Sequence, residues 1–298
     1  MRCMSVMFFF VFTLIATPAS AQPGKQATPP DDVVFERDIT YGKAGEVELK
    51  LNMSRPKAHD GKAKPIPAII IIHGGGWAAG SREGHNDLTW GFAKQGYLAI
   101  TISYRFAPKF LFPAQVEDAK CAVRYLRANA KKLNINPDAI GAVGFSAGAH
   151  LSMLLATMDE GDGLEGDGGH GDQKSKVQAA VSFVGPTDFT VDDLPQASVN
   201  IIKNWLGGDL KEKAKEAHLA SPVTYISKGD APMLLFQGTA DPLIPNTQAY
   251  RMTEAMSKAG VKGRVEMILG GGHGWGGQEM VHSIEQMNSF FARWLKVK

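Results

Sequence analysis

Ser146 stands in Gly144-Phe145-Ser146-Ala147-Gly148, a G-x-S-x-G pattern between an apolar run and a helix-compatible stretch. A serine on such a sharp strand-to-helix turn has its hydroxyl lifted clear of the sheet, at the positive end of a helix dipole. An alkoxide or oxyanion developing there is stabilised. The glycines have a steric task, because side chains at those positions would collide with the neighbouring strand and helix. The chemistry this suits is nucleophilic attack on a carbonyl, which also needs a base, an acid to orient it, and donors for the oxyanion.

Each role has a candidate in the right order along the chain. His73-Gly74-Gly75-Gly76-Trp77 follows the run Ala68-Ile69-Ile70-Ile71-Ile72. Glycines after a buried strand let backbone N–H groups approach a substrate oxygen, so Gly74, Gly75 and Ala147 are the expected oxyanion donors. Asp241 follows Met233-Leu234-Leu235-Phe236, on a loop stiffened by Pro242 and Pro245, and is the expected orienting acid. A turn-forming role competes for it. Asp230 precedes that run, at the wrong end of the sheet. His273, in Gly270-Gly271-Gly272-His273-Gly274-Trp275-Gly276-Gly277, is the expected base.

The other histidines fit less well. His150 lies on the helix after Ser146, whereas the serine side chain leaves the elbow away from that helix. His282 is expected to begin a helix and lies off its core stripe of Val281, Ile284, Met287, Phe291 and Trp294. His73 reads as a brace for the glycine loop. His59, His85, His170 and His218 have no partner pattern, and no two histidines have zinc-ligand spacing, so no metal cofactor is expected. Trp77 and Trp275 flank the glycine runs, where they line an acyl pocket or simply pack.

The elements needed to position these residues are legible. Val33 to Tyr41 and Val47 to Met53 alternate apolar and polar residues, with turn chemistry at Gly42 to Gly45, and read as a hairpin. The Ile69 run, Tyr97 to Ser103, Ile140 to Phe145, Val177 to Val184, Met233 to Phe236 and Val265 to Leu269 read as strands buried on both faces. Helical patterns separate them: Leu88 to Lys94, Val116 to Leu133, Ala147 to Met158, Thr247 to Ala259 and His282 to Leu295. This alternation predicts a three-layer α/β/α fold around a mostly parallel eight-stranded sheet, within a domain spanning 33–298. Residues 188–220, containing Trp205, read as a small helical cap over the strand ends. Asp159 to Lys176, rich in Gly and Asp, lacks the spacing of a calcium loop and reads as a solvated insertion.

The chain has 298 residues, 44% hydrophobic and 21% charged, ample for one large core. A formal net charge of +2 without a basic block argues against nucleic acid as a partner. Residues 1–21 read as a signal peptide: Arg2, an apolar run from Met7 to Ala16, then Ala19-Ser20-Ala21 before Gln22. That run is too short to span a bilayer, so the expectation is an exported protein, periplasmic or secreted, with no stable membrane insertion after cleavage. A Pro-rich linker follows over 22–32. Of the two cysteines Cys3 falls in the signal, leaving Cys121 as a thiol packed on a helix.

The order Ser146, Asp241, His273 is that of the α/β-hydrolases. The runs H-G-G-G-W, Ser103-Tyr104-Arg105-Phe106-Ala107-Pro108, Phe112-Pro113-Ala114 with Glu117-Asp118-Ala119, and G-F-S-A-G-A-H resemble those of the hormone-sensitive-lipase-like esterases. They are most similar to the bacterial carboxylesterase branch that includes feruloyl- and acetyl-esterase-like enzymes. The resemblance covers roughly Val33 to Lys298. It implies a serine carboxylesterase acting on short acyl or aryl esters, on a small molecule or a polysaccharide, without a cofactor. Two other readings remain: an amidase or formamidase on the same residues, and a non-catalytic hydrolase-fold binding protein.

Overall fold

The computed structural model describes residues 28–59 and 64–296. The expected signal peptide and most of the linker lie outside those residues. Eight strands form one sheet: β1 (Val33–Ala44), β2 (Val47–Pro56), β3 (Ile66–Ile72), β4 (Leu98–Ile102), β5 (Ile135–Phe145), β6 (Ala179–Phe183), β7 (Met233–Gly238) and β8 (Gly263–Ile268). The helices are α1 (Asn86–Lys94), α2 (Ala114–Ala128), α3 (Ala130–Leu133), α4 (Ala147–Thr157), α5 (Gln196–Leu206), α6 (Ala214–Ala220), α7 (Asn246–Ala259) and α8 (Gly277–Leu295).

The sheet order is β1-β2-β4-β3-β5-β6-β7-β8. Only the β1/β2 and β2/β4 pairs are antiparallel; β4, β3 and β5 to β8 run parallel. From β3 the chain steps to β4 on one side, then crosses back past β3 to β5 and continues outward to β8 on the other. The sheet therefore changes direction between β3 and β5, and a crevice opens at the carboxyl ends of those two strands. In the register Ile72 lies beside Gly144. That single pairing places the residues after Ile72 next to the residues after Gly144.

β3 shows why its isoleucines form a strand and not a helix. Ile70 and Ile72 pack into one apolar cluster with Val116 of α2 and Leu151 of α4. Ile69 and Ile71 pack into another with Phe92 of α1 and Phe291 of α8. A β-branched residue on a pleat buries alternate side chains on opposite faces, and both faces here are covered. Burying each such side chain contributes about 1.5–3 kcal/mol.

Several boundaries differ from the sequence expectation for identifiable reasons. Gly42 pairs with Leu49 inside the hairpin ladder, so the turn shrinks to Gly45 and Glu46, with Gly45 at φ +57°. β5 begins at Ile135 because that residue pairs with Ile66 ahead of a bulge. The long helix expected over 116–133 breaks at Asn129, whose Nδ2 donates to the Tyr125 carbonyl at 2.9 Å. α8 starts at Gly277, so His282 lies inside it rather than at its start. Among the described residues no helix is long and apolar enough to cross a membrane.

The insertion at 159–176 is mostly exposed, as expected, yet it is anchored. Glu165 accepts from Lys120 Nζ at 2.8 Å, Arg124 Nη1 at 2.7 Å and Ser175 Oγ at 2.8 Å. Lys120 and Arg124, both on α2, are buried. Replacing Glu165 by Ala removes the carboxylate shared by two buried cations and leaves them the carbonyls of Gly163 and Gly169, while Glu165 itself is a third exposed. The expected loss is about 3 kcal/mol, at the low end for breaking a buried pair. The midpoint of urea unfolding should fall with its slope unchanged.

Candidate active site

Ser146 sits between β5 and α4 with φ 53° and ψ −117°. That is a strained conformation for a residue with a Cβ, and it persists only because its surroundings over-determine it. The Ser146 N–H donates to the Phe183 carbonyl at 2.8 Å, and the Ser146 carbonyl accepts from His150 N–H at 3.0 Å. A Cβ on Gly144 would collide with the Gly148 carbonyl in α4, and one on Gly148 with the Ile72 carbonyl in β3. Both flanking glycines are thus required by backbone-to-backbone contact, as the motif implies.

His273 and Asp241 reach the serine from the loops after β8 and β7. His273 Nε2 is 2.8 Å from Ser146 Oγ, and His273 Nδ1 is 2.8 Å from Asp241 Oδ2. An ionised carboxylate only accepts, so Nδ1 carries the proton and Nε2 is free to accept the serine O–H. The two oxygens of Asp241 divide the roles that competed in the sequence. Oδ2 faces His273, while Oδ1 accepts from the N–H groups of Leu243 at 2.8 Å and Ile244 at 3.0 Å and forms the turn. Burial pushes the Asp241 carboxyl up, but the bonds from His273, Ile244 and Leu243 outweigh it and the net shift is downward.

The glycine loop lies across from the serine. Gly75 and Gly76 line the cavity with Ala147, at φ +110° and +58° for the two glycines. Gly74 sits behind them: a Cβ there would be 3.2 Å from the Ser146 Cβ. Among the described residues the amides of Gly74, Gly75 and Gly76 donate to no protein acceptor. His73 braces the loop through Nδ1, which donates to the Gly74 carbonyl at 2.7 Å. Its ring stacks on Tyr104 at 4.4 Å, and the Tyr104 O–H donates to the carbonyls of His73 at 3.1 Å and Gly74 at 3.3 Å. Arg105 beside it bonds Asp118 at 3.0 Å and Glu117 at 3.0 Å, which explains the pairing of the Tyr-Arg and Glu-Asp runs.

A cavity of about 580 Å³ opens above Ser146. Trp77, Pro186, Ile202, Leu243 and Ile244 give it apolar walls, and Asn200 and Asn204 contribute exposed carboxamides from α5. Residues 188–220, expected as a cap, hold α5 and α6. Their individual residues were not foreseen. Ser198 Oγ donates to the Leu243 carbonyl at 2.6 Å, and Trp205 Nε1 donates to Gln115 Oε1 at 2.8 Å. Ile201 packs so close to the glycine loop that a Cβ on Gly76 would be 2.8 Å from its Cγ2. The signal available was the spacing of Ser198, Ile201, Ile202 and Trp205 along one side of a helical pattern.

The rival residues are engaged elsewhere. Asp230 holds Lys176 at 2.6 Å. His150 is fully buried and bonds Ala220 and Trp77. His282 is half exposed, 3.3 Å from Glu266. His85, which had no partner in the sequence, stacks on Phe145 at 4.7 Å. Trp275 donates to Ser283 at 3.1 Å and packs on Phe183 without lining the cavity, whereas Trp77 both packs and lines it. Cys121 is buried and its thiol is pushed up to about 11, so it is an inert packing residue.

An imidazole bonded to both a carboxylate and a hydroxyl, opposite free amides, can draw off a hydroxyl proton and stabilise negative charge on a bound carbonyl. Comparison with known proteins points the same way. The BD-FAE family model matches residues 52–256. The probable carboxylic ester hydrolase LipM of Mycobacterium tuberculosis is 30% identical over 222 residues, covering 73% of this chain and 51% of LipM. Esterase LipC of the same organism is 30% identical over 268 residues, covering 85% of this chain and 64% of LipC. The match thus spans between about half and two thirds of those two relatives. Among solved structures, Thermogutta terrifontis esterase 2 phosphonylated by sarin aligns with a TM-score of 0.78 at 28% identity, covering 90% of this chain and 99% of its own. A truncated carbohydrate esterase from gut microbiota aligns with a TM-score of 0.76 at 28% identity, covering 89% and 98%.

The depressed Asp241 carboxyl has a stability consequence. A carboxyl held below its unfolded value, near 3.9, stabilises the fold above that value and loses the contribution as pH falls through the folded one. Asp241→Asn removes this dependence. The melting temperature of the variant should fall less between pH 6 and pH 3 than that of the unaltered protein.

Proposed function

The chain belongs to the BD-FAE family within the α/β-hydrolase superfamily, and we propose that it is a carboxylic ester hydrolase with Ser146 as nucleophile, His273 as base and Asp241 as orienting acid. The observation that carries the reading is the relay of 2.8 Å from Asp241 to His273 and 2.8 Å from His273 to Ser146, facing unpaired amides. In this reading Ser146 Oγ attacks the ester carbonyl carbon as its proton passes to His273 Nε2. The carbonyl oxygen takes the negative charge and is held in this reading by the N–H groups of Gly75 and Gly76, which line the cavity, and of Ala147, with Gly74 behind them. His273 then returns the proton to the leaving alcohol, leaving an acyl-serine. A water that gives its proton to His273 attacks the acyl carbon and releases the acid. Removal of one oxyanion donor typically costs about a hundred- to a thousandfold in rate.

The cavity supports a substrate class. Walls of Ile202, Leu243, Ile244 and Pro186 suit a short acyl chain or an aromatic ring, and the carboxamides of Asn200 and Asn204 suit hydroxyl groups near the mouth. Acetyl or feruloyl esters carried on a polysaccharide combine these features, and a structurally similar protein bears the name carbohydrate esterase. Export fits an extracellular polymer, and rests on the charged start, apolar run and Ala19-Ser20-Ala21 site of residues 1–21.

Two experiments test the reading. Ser146→Ala should abolish labelling by a fluorophosphonate probe and lower hydrolysis of a short aryl ester on the order of a millionfold, the scale for loss of such a nucleophile. Undiminished turnover would refute it, and faster hydrolysis of N-formyl or aryl amides than of esters would reassign the reaction. Expression in a bacterial host followed by fractionation should recover protein beginning at Gln22 outside the cytosol; a cytosolic product still bearing residues 1–21 would overturn export.

A further inference from the structure

Trp77 is the residue through which the glycine loop is held. The loop runs through φ values of +110° at Gly75, +58° at Gly76 and +58° at Trp77. Glycine adopts that region freely, but a tryptophan there is strained and needs outside contacts to stay. The contacts are dense. The indole ring stacks on Trp205 at 4.0 Å with 9° between planes, and meets Phe189 edge-on at 5.8 Å. The Trp77 carbonyl accepts from Ala107 N–H at 3.0 Å. The indole N–H itself has one partner, His150 Nδ1, at 3.2 Å.

His150 is built to receive it. Its Nε2 lies 2.7 Å from the Ala220 carbonyl, which can only accept, so Nε2 carries the proton and Nδ1 presents a lone pair. Burial pushes its pKa down to about 4, so the ring is neutral near pH 7. His150 also stands on α4, the helix whose first residue is Ala147. One rigid helix thus carries an oxyanion donor directly and, through His150 and Trp77, holds the loop that carries the others.

We propose that His150 is a positioning residue: it fixes the Trp77 indole and thereby sets the spacing between the glycine-loop amides and the Ala147 amide. This inference rests on the carboxylesterase reading above. A residue that only supported the fold would alter stability and the fraction of active protein. One that sets the hole would alter stabilisation of the charged intermediate and leave ground-state binding alone.

Trp77→Phe keeps an aromatic ring against Trp205 but removes the N–H together with part of the indole, so the bond itself is isolated by the pair of His150 variants. His150→Leu removes the acceptor, and His150→Asn keeps an acceptor close to the place of Nδ1. On a short aryl ester we expect kcat to fall about tenfold to a hundredfold in Trp77→Phe and His150→Leu, part of the effect of losing one oxyanion donor, with KM within twofold. The inhibition constant of phenylboronic acid, whose tetrahedral adduct mimics the intermediate, should rise by the same factor. Saturating fluorophosphonate should still label Ser146, and His150→Asn should recover most of kcat. Unchanged kcat in folded Trp77→Phe would overturn the proposal. So would a loss of kcat matched by a loss of labelled sites with the boronate constant unmoved, which is the signature of a purely structural residue. Should the unaltered protein itself neither hydrolyse the ester nor react with the probe, the carboxylesterase reading falls and this inference with it.

Discussion

Everything at the candidate site depends on how closely two backbones approach at the sheet's change of direction. The first turn of α4 rests against the end of β3, with Gly148 facing the Ile72 carbonyl and Gly144 facing the Gly148 carbonyl. No side chain fits in either gap. Because β3 and β5 are parallel neighbours with Ile72 beside Gly144, this contact brings the glycine loop and Ser146 to the same height above the sheet. The positive φ of Ser146 is the conformational cost of the approach, held in place by its bond to Phe183 on the next strand.

The polar groups around this contact are divided between bracing the loops and orienting the imidazole. Asp241 spends one oxygen on its own loop and the other on His273. His73 gives its Nδ1–H to the Gly74 carbonyl, and Tyr104 gives its hydroxyl to the same short stretch of backbone. Among the described residues the glycine-loop amides are left without a protein acceptor, and two of those glycines, Gly75 and Gly76, line the cavity. The lining holds no lysine or arginine, so backbone amides rather than such side chains are the donors available to a bound carbonyl there.

Much of this was legible in the sequence because the relevant constraints are local. Consecutive β-branched residues such as Ile69 to Ile72 report a strand buried on both faces, and glycines flanking Ser146 report a turn with no room for a side chain. The order of Ser146, Asp241 and His273 against the strands placed all of them at one edge. What escaped was whatever depends on a distant partner. His150 showed only as a histidine on a helix, since its partners, Trp77 and Ala220, lie 73 and 70 residues away. The Asp159 to Lys176 insertion looked free because its anchors, Lys120 and Arg124, sit on another element. The start of α8 was misplaced because a glycine run reads as loop, and the bonds that hold its first turn, Ser283 Oγ to the Glu279 carbonyl and Trp275 Nε1 to Ser283 Oγ, show only in three dimensions.

The fastening of α5 has a mechanical consequence. Ser198 ties its first turn to the loop that carries Asp241, and Trp205 near its last turn is clamped between Trp77 and Gln115. The doorway above the serine is therefore framed by a helix fastened near both of its ends. The same strut that frames the doorway also touches the carboxylate loop through Ser198, so one helix borders two of the loops that meet at Ser146.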